Sequence, residues 1–309
     1  TAGVNGDISL TVDGLSLGGT NTINAGTGTF AITPRTGTYT VEFSPTDTAL
    51  VTDVYYDSAF TGITAGAFQV GSATHTGTIY VATAAMTPPY SLTVQNNGSI
   101  VVAGSYDSSA GNGNLTLDSG AGGIALNGVT INLGAGTFTA QDAVTLGANT
   151  TITANGGIVF QGTIDADNAA NNRTLTLNCS GAVTLGGAVG ASQALQTLTS
   201  DAGGTLSLPA VTTQGAQTYS DATVTLNGTL TVNTAGAGVS IPNSVVLGAG
   251  GGTITLTSTN GNNDITLGAV SGAQALNLTA GGGDITIGST DGTPTSLSST
   301  SATFTTTGS

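Results

Sequence analysis

The chain has 309 residues, 49 of them Gly, with 6% charged residues, no Trp and no Lys. Its formal charge of −14 comes from 15 Asp, the single Glu42 and two cations, Arg35 and Arg173. Nucleic acid is therefore not an expected partner, because phosphate neutralisation needs clustered Lys and Arg, and attraction to an anionic membrane surface is disfavoured for the same reason. At 38% hydrophobic, with a mean hydropathy of +0.24, the chain has enough apolar material to bury a core, unlike a disordered one. No apolar run approaches the ~18 residues of a membrane helix, so direct membrane insertion is not expected. The apolar residues come in short pulses, LTLN, VTLGG, ITLTS and ITIGS, that alternate with Thr or Ser. That period of two predicts an all-β chain.

Residues 1–90 are the least regular and hold nine of the 14 aromatic residues: Phe30, Tyr39, Phe43, Tyr55, Tyr56, Phe60, Phe68, Tyr80 and Tyr90. Two readings stand side by side. The rings fill wider coils or cover an open end, where unpaired strand edges need protection; or they form an exposed patch that stacks on sugar rings, with Tyr39, Tyr55 and Tyr56 as candidate carbohydrate-binding residues.

From 91 to 309 the chain reads as regular repeats, with copies near 92–139, 140–215 and 216–290. The segment from Leu92, LTVQNNGSIVVAG, resembles that from Ile152, ITANGGIVFQG, and Leu115 likewise matches Leu175. AQDAVTLGANTTIT from Ala140 matches AQTYSDATVTLNGTLT from Ala216. Leu175 then aligns with Ile254, Leu185 with Leu267, and Gln193 with Gln274. Offsets near 60 and near 80 share a divisor of about 20, the expected length of one turn in a three-sided, right-handed parallel β-helix. At ~4.8 Å per turn the chain would form about 15 coils and a rod on the order of 70 Å long. Inward Val, Ile and Leu would stack into ladders, Gly and Asn would turn the corners, and Thr would alternate outward. Replacing an inward Leu177 or Leu256 by Asp should be severely damaging, because the buried charge has no partner. The start at Thr1 suggests a processed product or a segment of something longer.

The phrases GDISLTVDGLSLGGTNTINAGTGTFAITP (Gly6 to Pro34), FTGITAGAFQVGSATHTGTIYVA (Phe60 to Ala82) and GAQTYSDATVTLNGTLTV (Gly215 to Val232) resemble repeats of the filamentous haemagglutinin-like exoproteins. These are bacterial surface adhesins often exported by two-partner secretion. The resemblance covers most of the chain. It implies a β-helix shaft, secretion to the extracellular space or cell surface, and a structural role in adhesion, biofilm cohesion or presentation of a distal domain. It brings no catalytic residue. The family's Asn-Pro-Asn-Gly signature does not occur in this sequence, and Thr38 to Phe60 is more aromatic than the usual repeat. A shaft segment, or a relative exported by another route, is implied. Expected partners are a second copy stacked end to end, host or matrix glycans, and other surface proteins.

Parallel β-helices also include polysaccharide-cleaving enzymes, whose chemistry makes definite demands on side chains. A lyase needs a basic residue and, usually, Ca2+ held by clustered carboxylates. Arg173 lies beside Asp165 and Asp167, and an ion pair across a loop is its simpler reading. Asp53 with Asp57 and Asp165 with Asp167 are the nearest carboxylate pairs for glycoside hydrolysis, both better read as solvated loops. Asp165 and Asp167 are also the candidate metal ligands, for opportunistic Ca2+ only; GNNDITLG and GGGDITIG echo calcium-binding nonapeptides in the wrong register. His75 has no nucleophile elbow near it, and a lone His with a lone Cys179 cannot build a zinc site. No enzyme activity and no required cofactor are expected, with a carbohydrate-binding or polysaccharide-degrading module as the alternative. Asn-X-Ser/Thr sequons, such as those at Asn97 and Asn227, are expected by chance in so Asn- and Thr-rich a chain.

Overall fold

A computed structural model describes residues 5–15, 22–50, 53–60, 62–168, 170, 173–201, 203–234, 236–249, 252–256, 263–280, 282–290, 296–300 and 303–306. The chain is a β-solenoid of about 11 turns with ~22 residues per turn, almost entirely parallel strand. Among the described residues the one helical element is a single 3-10 turn, Gly120–Gly122. The turn is longer than the expected 20 residues and the turns are fewer than the expected 15. Long excursions between ladder partners account for part of the difference, as between Ile23 and its partner Ile63 and between Phe30 and its partner Phe68.

Two compact units are formed, Thr1–Gly156 and Gly157–Ser309. In the first, face A stacks Ile8–Thr11, Thr29–Thr33, Ala67–Gly71, Ser91–Gln95, Leu115–Asp118 and Thr137–Ala140. Its inward ladder runs Phe30, Phe68, Leu92, Leu115, Phe138, each at most 4% exposed. Face B stacks Val41–Ser44, Ile79–Val81, Ile100–Val102, Ile124–Leu126 and Val144–Leu146. Face C is shorter, with Tyr106–Asp107, Thr130–Asn132 and Thr150–Thr153. Strands within a stack donate and accept along both neighbours, so alternate side chains point inward, and burial alternates in most of them, as in Thr29–Thr33, Ser91–Gln95 and Leu115–Asp118.

In the second unit, face D holds Thr174–Asn178, Thr197–Ser200, Gln217–Tyr219 and Val239–Ile241, continued by the first halves of Ile265–Ser271 and Asp284–Thr290 and by Thr303–Thr306. Face E stacks Gly157–Phe160, Ala182–Leu185, Thr205–Leu208, Thr223–Leu226 and Ser244–Leu247. Face F stacks Val211–Thr213, Thr229–Val232, Gly252–Leu256, Ala275–Thr279 and Ser296–Thr300. Leu177 is buried in the core. Leu256 sits in register with Val232, but its side chain lies outside the described residues. Corners need close approach as well as turning. At Gly190, with φ +69, an added Cβ would lie 2.1 Å from the Thr212 carbonyl oxygen, so only Gly fits there.

The sequence alignments at offsets near 60 and 80 join residues that stand on different faces. Leu92 stacks on Phe68 and Leu115 on face A, whereas Ile152 pairs with Ile131 on face C. Leu175 pairs with Leu198 on face D, whereas Ile254 pairs with Leu230 and Leu278 on face F. One strand plus one corner has the same pattern on every side of the solenoid, so the resemblance repeats by the face and not by the turn.

Candidate functional site

The aromatic region closes an edge of face B. Val41 pairs on one side with Ile79 of the following turn and on the other with Val54. The strand Val54–Asp57 thus fills the place that a preceding turn would occupy. Tyr56 is 1% exposed, and its hydroxyl donates to the Val12 carbonyl at 2.5 Å, tying the added strand to the first turn. Burial raises the Tyr56 hydroxyl pKa well beyond its ordinary range. Phe60 stacks on Phe68 with centroids 4.6 Å apart and meets Phe30 at 5.6 Å, Phe43 at 5.3 Å and Tyr90 at 5.8 Å. These rings fill the interior.

The three candidate sugar-binding tyrosines do not form one platform. Tyr56 is buried; Tyr55 is half-buried and donates to the Ser44 carbonyl at 3.0 Å; Tyr39 is the exposed one, at 37%. What sequence reasoning missed is Glu42, in register between Tyr55 and Tyr80 on face B yet fully buried. Its Oε1 accepts from the Thr48 amide at 3.0 Å and hydroxyl at 2.6 Å, and from the Thr83 hydroxyl. Burial pushes this carboxyl up, but the hydrogen bonds from Thr48 and Thr83 outweigh it and hold it below the ordinary range. That it is the chain's single Glu was the available signal.

His75 is buried. Its Nδ1 lies 2.8 Å from Asn96 Oδ1 and its Nε2 2.9 Å from the Tyr39 carbonyl, while Asn96 Nδ2 donates to the carbonyls of Gly77 and Ser99. The pair staples one corner across successive turns. Arg35 pairs with Asp13 at 3.4 Å. Asp53 accepts from the Thr40 amide just before the paired strand, and Asp57 from the Ala59 amide in its own turn, so both carboxylates fasten backbone.

In the second unit Asp165 Oδ1 accepts from the amides of Ser192 and Gln193, at 2.8 and 3.0 Å. Asp167 takes a two-pronged ion pair from Arg173, at 2.9 and 2.8 Å. The two candidate metal ligands thus face different partners. Among the described residues no three His, Cys, Asp or Glu side chains converge as a metal set. The interior of this unit carries two polar groups: Gln217 Nε2 donates to the Thr213 hydroxyl and the Thr231 carbonyl and Tyr219 donates to Gln217 Oε1, while separately Ser200 donates to Asp221 at 3.2 Å. Burial pushes the Asp221 carboxyl above its ordinary range. Cys179 is buried and free, and burial raises its thiol too. On face D an open groove of about 270 Å³ lies among Ala216, Thr218, Gly238, Ser240 and Asp264.

Stacked parallel turns with ladders inside and hydroxyl-bearing residues outside define the class, a β-helix repeat protein. No protein-family model matches the chain, and neither a curated protein nor a solved structure is significantly similar to it. No described helix is long and apolar enough to cross a membrane.

Proposed function

We propose that this chain is a structural segment of an extracellular or cell-surface fibre, of the kind the filamentous haemagglutinin-like adhesins use as a shaft. The observation that carries this reading is where the polar side chains are used. His75 with Asn96, Glu42 with Thr48 and Thr83, and Asp165 with the 192–193 amides each fasten a corner or loop to its neighbour. A scaffold needs such fastenings, and stacked ladders supply stiffness because each turn is held by the one before and the one after. Self-association end to end belongs to this reading, through strand edges. The net negative charge and the hydroxyl-rich faces suit a surface that stays hydrated and soluble.

Antibodies raised against the purified chain should label intact, unpermeabilised cells of the source organism, and deleting the segment in frame should reduce surface attachment. Labelling that appears only after permeabilisation would overturn the extracellular reading. Attachment unchanged by the deletion would overturn the shaft role.

A further inference from the structure

Face F of the second unit carries an ordered array of threonines that the scaffold role does not require. Thr212, Thr231, Thr255, Thr279 and Thr300 stand in register on five successive strands, and Thr229, Thr253, Asn277 and Ser298 form the neighbouring rank. Thr229 and Asn277 are exposed, and Thr212, Thr231 and Thr279 are half-buried. Val211, Leu230, Val232, Leu276 and Leu278 lie between them, buried in the core, so the strands cannot roll to present another side. None of the five strands contains a charged residue.

We propose that face F binds ice. Rank positions repeat every ~4.8 Å from strand to strand and every ~6.6 Å along a strand. These two spacings lie near the repeats of hexagonal ice along its a and c axes. With only two ranks, the misfit along c arises once and does not accumulate. Threonine also suits an ordered water layer chemically. Its hydroxyl gives a donor and acceptors, its methyl leaves adjacent water without a competing partner, and β-branching restricts χ1, so the array is set before water meets it. Carboxylates would impose their own hydration shells instead, and face F has none.

The other sides of the unit lack this combination. Face D has Asp264 and Asp284 beside its hydroxyl rank and is indented by the groove at Gly238. On face E the rank that runs through Ser207 and Thr225 reaches Val246. A sugar platform would call for a stacking ring, and no aromatic residue lies on face F. Ice binding by face F does not depend on where the chain is displayed.

The test uses the purified full chain in thermal-hysteresis and ice-recrystallisation assays. The protein should open a gap between melting and freezing points and keep ice grains small. Thr231→Lys with Thr279→Lys raises two charged side chains above the array and should abolish both effects. Thr225→Lys on face E should leave them intact. Circular dichroism confirms that each variant keeps its strand content. No hysteresis and no inhibition from the unsubstituted chain, activity that survives the face F substitutions, or equal loss from the face E substitution would each overturn the proposal. So would retention on crystalline cellulose or chitin with no effect on ice.

Discussion

Phe60 offers a sharp test of how the aromatic region is held. It is 6% exposed, touches four other rings, and sits at φ +46, in the left-handed region that β-carbon-bearing residues avoid. Truncating a buried Phe to Ala costs ~3–5 kcal/mol, and the ring pairs place Phe60 toward the upper end of that range. Ala, however, keeps the left-handed strain of ~1–2 kcal/mol, which Gly relieves. Gly also loosens the unfolded chain, at a cost of ~0.4–1 kcal/mol. Phe60→Gly should therefore be as stable as Phe60→Ala or up to ~1.6 kcal/mol more stable, the reverse of the usual order. Urea unfolding followed by near-ultraviolet circular dichroism reads the ring cluster directly. An Ala variant clearly more stable than the Gly variant, or a loss below ~1 kcal/mol in both, would refute this account of the cluster.

Glu42 and Asp221 should give opposite pH dependences. Glu42, held below its ordinary range, contributes stability above that range that is lost as pH falls through the lowered value, and Glu42→Gln should flatten this acid limb in thermal melts while costing ~1–3 kcal/mol at neutral pH. Asp221, pushed up by burial, favours the folded state while protonated; its contribution is complete below the ordinary carboxylate range and lost as pH rises through the raised value. Asp221→Asn should remove that loss, checked by the pH dependence of the Tyr219 near-ultraviolet signal. Arg173→Ala breaks a partly exposed pair and should change stability by only ~0–1 kcal/mol, measured by denaturant titration, because exposed ion pairs gain little over solvated charges.

The strand pattern was legible from sequence because period-two alternation is a local consequence of the pleat. Residues such as Leu175, Leu177, Ile285 and Ile287 declare their inward direction without knowledge of their neighbours. The length of a turn was not legible in the same way. Offsets near 60 and 80 are not whole multiples of the ~22-residue turn. They match because a strand and its corner obey the same rules on all sides, so alignment slid by a face without penalty. In the aromatic region, Phe30 and Phe68 follow the alternation and read as core. Glu42 occupies an outward strand position, and its burial depends on residues 45–48 folding back over it. No local pattern announces that closure. The added strand Val54–Asp57 was hidden for a related reason: its partner Val41 is chosen by a vacant edge, which only the stacked structure reveals.

Because the repeating element is a face, a duplication or loss of one strand with its corner would keep every inward residue inward and leave the core intact. It would nonetheless re-index everything that follows, carrying the residues of face F round to the side now taken by D or E. Such a chain can change what it shows to its surroundings without changing how it folds. An evolutionary step that looks like a small insertion in the alignment would act on the surface as a rotation.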